Sequence, residues 1–458
     1  MTSQTQLPAK SPLDRFLSLF AEVKSGEGVT ALLLMTNVFL LLMSYYILKP
    51  VREALILSSP GGAELKSYMS AFQTIIFLGF VPLYGKLVSA VPRRRLLNIV
   101  TLFFVGCLVL FFFLGQSGVP LAIPFFLWIG VFNISIVAQF WSFANDVYTP
   151  EQGKRLFAIV GFGASAGAVV GATSVKPIIA PLGIFWPMLA GGVVLVLSLM
   201  ITNWVDSRES RRPHAEAEKE AVEEPPMSNI SPYKLVFQNR YLLLIAVLIL
   251  LLNWVNTSGE YILGRILKET ASAAALSQGL AGDLQQEFVK RWIGEFYADF
   301  FGIVNALGLV MQLFLVSRIL KYLGVRLALM ILPIIALGGY SLTALFPVLG
   351  IVRWSKTGEN ATDYSLMNTL RGVVFLPTTR EEKYKAKQAI DTIFVRLGDV
   401  LSALTVFLGT TVFVFSVAQF AWVNLVLVVF WLLVAIAIGR RYQALVAEKE
   451  QIPAQQEA

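Results

Sequence analysis

The chain has 458 residues, of which 56% are hydrophobic and 14% charged, and its mean hydropathy is +0.69. These values exclude a soluble globule and mark a polytopic membrane protein. A single cysteine, Cys107, excludes an internal disulfide framework, and a single histidine, His214, excludes a His/Cys metal site; no cofactor and no metal are expected. The net charge of +8 would suggest nucleic acid in a soluble protein, but here its placement along the loops decides its meaning.

The first 28 residues are mostly polar, with one short amphipathic piece at Leu13–Val23, and carry no cleavable signal. An apolar run from Val29 to Leu48 comes next, and roughly 20 residues suffice to cross a bilayer. It does not stop cleanly. In YYILKPVREALIL (Tyr45–Leu57) come Lys49, Arg52 and Glu53, then an apolar return. If the helix continues, positions 49, 52, 53 and 56 share a face, with Pro50 expected to bend it. Charges at membrane depth cost ~2.5–3.5 kcal/mol each and usually face a polar interior. The cluster reads either as the water boundary of the first span or as a cationic mouth to a central cavity, and the second reading is preferred.

Twelve apolar segments lie along the chain, at 29–48, 68–90, 96–115, 119–144, 155–176, 181–204, 240–262, 294–317, 324–345, 347–373, 386–412 and 416–438. They predict an all-α membrane protein with twelve transmembrane helices in two six-helix halves. The expected domains are a cytoplasmic N-terminal segment 1–28, halves 29–205 and 240–438, a cytoplasmic linker 206–239 and a tail 439–458. The linker (ESRRPHAEAEKEAVEEPP within it) is read as solvated. With the N-terminus inside, about two thirds of the 37 Lys and Arg fall on inside segments, which places both termini in the cytoplasm. The charge is then topology, and no nucleic-acid partner is needed. KLVSAVPRR from Lys86 and RILKYLGVR from Arg318 echo each other, as two related halves would.

Several spans carry polar groups. Gln139, Asn145 and Asp146 close the fourth, and Thr149-Pro150-Glu151 opens the next helix. Gly163, Gly167 and Gly171 repeat every four residues, which lets a neighbouring backbone approach closely. The string GFGASAG lacks the preceding strand a dinucleotide loop needs. The seventh span ends NWVNTSGEYILGR. Asn253, Asn256 and Glu260 share a face there, as a cavity lining or an interfacial end, and a polar outside loop at 266–291 is expected next. The tenth, RWSKTGENATDYSLMN, carries Arg353, Lys356, Glu359, Asn360 and Asp363. It is either not a span or packs inside a bundle. In the eleventh, Asp391, Arg396 and Asp399 lie beyond the boundary lysines Lys383, Lys385 and Lys387. Asp391 and Asp399 share a face, and Arg396 is near enough to compensate either.

Four stretches together resemble the bacterial and plastid ATP/ADP translocases. They are KPVREALIL, FWSFANDVYTPEQGKRLF, YLGVRLALMILPIIALGGY and YSLMNTLRGVVFLPTTREEKYKAKQAIDTIFVRLGD. The resemblance implies a major-facilitator-like fold and nucleotide exchange. By position, Arg52 stands at a family lysine near the substrate path, Lys49 at its basic partner and Glu260 at an acid of the seventh span. Two departures accompany it. Trp128–Gln139 carries no acid where the family has one, and Leu397-Gly398 is followed by Asp399 where the family tends to have Lys.

The expected function is transport of a nucleotide or related anion by alternating access, most simply ATP:ADP exchange. The alternative is a proton-coupled permease or exporter titrating at Glu260, Asp391 or Asp399. A non-transporting receptor leaves the charges at membrane depth unexplained, and no enzyme constellation is present. Candidate substrate-binding residues are Lys49, Arg52, Glu53, Asn145, Asn256, Glu260, Arg353, Lys356, Asp391, Arg396 and Asp399. The expected partners are the lipid bilayer and a small anionic substrate, with a monomer as working unit in the inner (plasma) membrane.

Overall fold

The computed structural model of the protein describes residues 10–19, 21–209, 231–379 and 381–456. Among them every element is helical and no strand occurs. The composition explains this, because in lipid only a helix satisfies its own backbone within one segment.

Helix α1 (Pro12–Leu17) is held by a reciprocal cap between Ser11 and Asp14. The Asp14 carboxylate also accepts from the backbone nitrogens of Gly26 at 3.2 Å and Gly28 at 2.9 Å. This ties the short helix to the start of α2 (Gly28–Ser58). Helix α2 runs on through Pro50, so the charges at 49, 52 and 53 sit within a continuing helix. Next come α3 (Gly62–Ala90), α4 (Arg93–Gln116), α5 (Ala122–Val147), α6 (Pro150–Leu182) and α7 (Trp186–Glu209). Helix α6 starts as expected. Thr149 and Gln152 cap each other's backbone, and Pro150 fills the first turn.

After the linker come α8 (Pro232–Gln238), α9 (Arg240–Ser277) and α10 (Gly282–Val310). A π-helical turn at Met311–Leu315 leads into α11 (Val316–Leu345). Gly324 turns the chain there with φ 70° and ψ 172°, a backbone conformation that glycine adopts without cost. Helix α12 (Leu349–Thr362), a π turn at Asp363–Met367 and α13 (Asn368–Val373) form one unbroken helical run. The next stretch alternates. It has π turns at Glu382–Ala386, Ile390–Phe394 and Leu408–Val412, with α14 (Lys387–Ala389) and α15 (Val395–Phe407) between them. The last helix is α16 (Val417–Gln456).

Ten helices among the described residues are long and apolar enough to cross a membrane. One of them, Gly282–Leu345, takes in both the eighth and ninth expected segments, and the tenth segment is too charged to qualify. Two expectations are corrected. The outside loop at 266–291 reduces to a turn at 278–281, because α9 continues through a stretch of Leu, Lys, Glu and Ala that favours helix after hydropathy has fallen. The linker is not solvated throughout. Asp206 is buried and paired with Arg93 at 2.8 Å, and Val236 in α8 is buried; its middle, 210–230, lies outside the described residues.

The chain packs as two compact units. The first contains residues up to Leu55, Ile76–Glu220 and Gly294–Gly302. In it a Cβ at Gly163, Gly167 or Gly171 of α6 would fall on the carbonyl oxygens of Met35, Phe39 and Met43 of α2. The two backbones lie in direct contact, as the four-residue spacing predicts. Asn37 and Ser198, and Ser44 and the Gly191 carbonyl, tie α2 to α7. Phe104, Phe111, Phe125, Trp128 and Phe132 stack between α4 and α5.

The second unit contains Ile56–Ile75, Ala221–Ile293 and Ile303 onward. Helix α9 is its centre, packed against α12, α15 and α16. Gly398 of α15 lies on the backbone of α9 at Leu250 and Trp254. Large apolar side chains such as Leu78, Phe103, Phe430 and Leu433 are more than half exposed, as lipid-facing surfaces require.

Candidate functional site

The tenth segment shows why its charges are tolerated. Lys356 of α12 is 2% exposed, where an unpaired ammonium would be costly. Its Nζ donates to Asn256 Oδ1 of α9 at 2.8 Å and to Glu359 Oε1 at 2.9 Å. Glu359 Oε2 in turn accepts from the Tyr340 hydroxyl of α11 at 3.1 Å. Tyr340 reaches this point because Gly259, next to Glu260, has no side chain; a Cβ there would fall on the Tyr340 hydroxyl. The hydroxyl also lies 3.2 Å from the Val255 carbonyl, which accepts from Asn424 of α16 at 3.3 Å.

Glu260 is the second anion of this cluster. Oε1 accepts from Asn360 Nδ2 at 3.1 Å and lies 4.0 Å from Lys356 Nζ. Oε2 accepts from Lys66 Nζ, at the start of α3, at 3.3 Å. Two lysines thus bracket one carboxylate, which is itself 18% exposed. Next to Glu260 on α9, Tyr261 donates to Glu64, and about a turn further on Arg265 reaches Tyr261, Glu269 and the Phe415 carbonyl.

On α15, Asp399 accepts from Arg396 at 3.0 Å and from Thr257 of α9 at 2.8 Å. It therefore meets α9 beside Asn256. Asp391 is half exposed and pairs with Lys387 at 2.8 Å. Of the two acids within reach in the sequence, Arg396 compensates Asp399. Arg353 lies with its guanidinium 5.8 Å over the Trp354 ring.

In the first unit, Lys49 is buried, with its ammonium 3.9 Å from the Phe301 ring centroid and 5.1 Å from that of Tyr46. Such placement lets aromatic faces take part of the charge. Arg52 bonds its neighbour Glu53, which is fully buried, and lies 5.0 Å over Phe126. Asn145 is exposed near the end of α5. Its neighbour Asp146 pairs with Arg93 at 3.1 Å.

Among the expected residues, then, Asn256, Glu260 and Lys356 share one cluster, Arg396 and Asp399 stand beside it, and Lys49, Arg52 and Glu53 group in the first unit. Lys66 and Tyr340 join the cluster without having been expected there. Lys66 precedes the apolar part of its helix, and Tyr340 gives no sign beyond the glycine that admits it.

Residues 34–379 match the family model described as the Major Facilitator Superfamily. The chain belongs to that superfamily. Residues 336–442 also match the model of the TLC ATP/ADP transporter. The chain is similar to ADP,ATP carrier protein 1 of Rickettsia typhi, with 20% identity over 505 residues, 93% of this chain and 96% of that protein. It is similar to ADP,ATP carrier protein 1 of Chlamydia pneumoniae, with 23% identity over 368 residues, 71% of this chain and 68% of that protein. Its fold is similar to that of a mutant of the nucleoside transporter NupG, with TM-score 0.61 and 12% identity over 89% of this chain and 99% of that one. The TLC match and the relatives named ADP,ATP carrier proteins agree with the resemblance to the ATP/ADP translocases read from the sequence. The protein is a multi-pass membrane protein of major facilitator fold.

Proposed function

We propose that the protein exchanges nucleotides across a membrane, in the manner of ATP for ADP, or carries a related phosphorylated anion, by alternating access. The bracketing of Glu260 by Lys66 and Lys356 supports this most directly. Two ammonium groups share a carboxylate that phosphate oxygens can replace with charge-assisted hydrogen bonds of the same kind. The carboxylate satisfies the cations while the site is empty and competes with substrate for them. Asn256 orients Lys356, and Lys49 and Arg52, with Glu53 as the counter-ion of Arg52, supply a second cationic group. In this reading Arg353, Asp391, Arg396, Asp399 and Asn145 contribute positioning rather than direct charge. The relatives named ADP,ATP carrier proteins favour a nucleotide. The proposal includes twelve spans in two halves, with both termini in the cytoplasm of an inner membrane, working as a monomer.

The test is uptake of labelled ATP into proteoliposomes of the purified protein, preloaded with ADP or left empty. Uptake that requires internal ADP is the expected result. Lys356→Gln should raise the KM at least tenfold, about 1.4 kcal/mol of binding. Absence of uptake by a folded protein under both loadings would refute nucleotide exchange. The buried Asp399 favours proton-coupled transport as the second reading; collapse of uptake by a protonophore, independent of the internal anion, would establish that one instead.

A further inference from the structure

The second unit contains a cavity of about 980 Å³ that shares no lining residue with the lysine–glutamate cluster. Its walls come from the α8–α9 junction, from Pro377, Thr378, Thr379 and Glu382, and from α16 where its apolar run ends. Arg240, Arg440 and Arg441 line it, and all three are exposed. One carboxylate, Glu382, stands among its described lining residues, and that group is already engaged. It accepts from Asn239 Nδ2 at 2.6 Å and from the backbone nitrogen of Thr379 at 2.8 Å. Arg441 also reaches Glu448 at 3.5 Å, but both groups are more than half exposed, and such a pair holds an arginine only weakly.

Boundary arginines follow from the positive-inside rule alone. That rule does not account for a cavity between them, nor for its second wall. Leu244, Ala437 and Leu445 give that side an apolar face. A free anion would use the guanidinium groups and leave this face to water. A ligand with a phosphate head and an apolar body uses both, and basic pockets between helices at the membrane surface hold such heads. Arginine suits the task because its planar fork matches two phosphate oxygens at once.

We propose that this cavity binds the phosphate headgroup of an anionic membrane lipid, with Arg240, Arg440 and Arg441 on the phosphate and the Leu244–Leu445 wall along the acyl-bearing part. The site is separate from the transport reading and does not depend on it.

The experiment uses the full chain, delipidated in detergent, and follows thermal unfolding and native mass spectra with added lipid. Diacyl phosphatidylglycerol should raise the unfolding temperature by several degrees and appear as a bound adduct. Phosphatidylcholine and inorganic phosphate at equal concentration should do neither. The variant carrying Arg240→Gln, Arg440→Gln and Arg441→Gln should unfold at the lipid-free wild-type temperature and lose at least tenfold in adduct formation. If that variant does not fold, Arg441→Gln alone, read by adduct formation, replaces it. Equal response to phosphatidylcholine, equal response in the variants, or a full response to inorganic phosphate alone would each overturn the assignment.

Discussion

Lys66 and Glu260, 194 residues apart in the chain, meet at 3.3 Å with little water around either side chain. Removing one partner of such a pair leaves the other unpaired in a low-dielectric setting, and this costs more than removing both. A double-mutant cycle with Lys66→Met and Glu260→Gln should therefore show a coupling of ~1–3 kcal/mol in thermal stability. The double variant should be less destabilised than the sum of the two. Additive effects would mean that the ion pair contributes nothing.

The contact of α6 with α2 makes a sharper prediction. Gly167→Ala places a methyl group on the Phe39 carbonyl, and overpacking of this kind costs ~1–3 kcal/mol. Gly161→Ala, one turn and a half away on an open face with nothing within 4 Å, should be neutral or slightly stabilising, since alanine is the better helix former. Equal unfolding temperatures for the two variants would contradict the direct backbone contact.

Asp14 carries a pH signature outside the membrane. Burial pushes its carboxyl up, but hydrogen bonds from the Ser11 hydroxyl and the backbone nitrogens of Gly26, Ser11 and Gly28 outweigh that and hold it at about 2. The folded value lies below the ordinary 3.8, so the contacts stabilise fully above that value and are lost as pH falls toward 2. Hydrogen-exchange protection at 26 and 28 should be flat between about pH 5 and pH 8. Asp14→Asn, which removes the charge and leaves one acceptor oxygen where two accept from Ser11, Gly26 and Gly28, should lower that protection by roughly 1 kcal/mol at neutral pH. A fall in wild-type protection between pH 8 and 5 would point to a different group.

Val414 has φ 51° and is 77% exposed in the turn before α16. A β-branched residue is strained in the left-handed region, by on the order of 1–2 kcal/mol. Val414→Gly relieves that strain and gives back part of the gain as unfolded-chain entropy. The net expectation is a gain of roughly 0.5–1 kcal/mol, read as a higher unfolding temperature; a loss of stability would show that the valine side chain is held by its surroundings.

Features carried by short-range chemistry are legible in the sequence. The glycine spacing of α6 announces its close approach, and Thr149-Pro150 announces the start of that helix. Features that depend on the element lying opposite are not. The polar start of α3 reads as loop, because hydropathy measures affinity for lipid and not helix formation. Lys66 therefore falls outside the expected spans, although its partner Glu260 stands among the candidates. The eleventh segment misleads for another reason. Residues eight apart in an α-helix differ by about 80° and share a face. Sharing a face is not sharing an environment, because eight residues also rise about 12 Å along the helix axis. Asp391 is part-exposed against Lys387, while Asp399, two turns further along, is buried against α9 at Thr257.

The tenth segment also bears on how the protein is made. Arg353, Lys356, Glu359 and Asp363 together would cost an isolated helix on the order of 10 kcal/mol at membrane depth, by scales of ~2.5–3.5 kcal/mol each. Its partners, Asn256 and Tyr340, are supplied by α9 and α11, which are synthesised first. Nascent chains ending shortly after Val373 should hold this segment at depth only when α9 and α11 precede it. Glycosylation mapping of such truncations would read the dependence directly. Insertion without α9 would show that the helix partitions by itself. The order of synthesis then becomes part of what allows these charges: the helices that hydrogen-bond Lys356 and Glu359 are in place before they arrive.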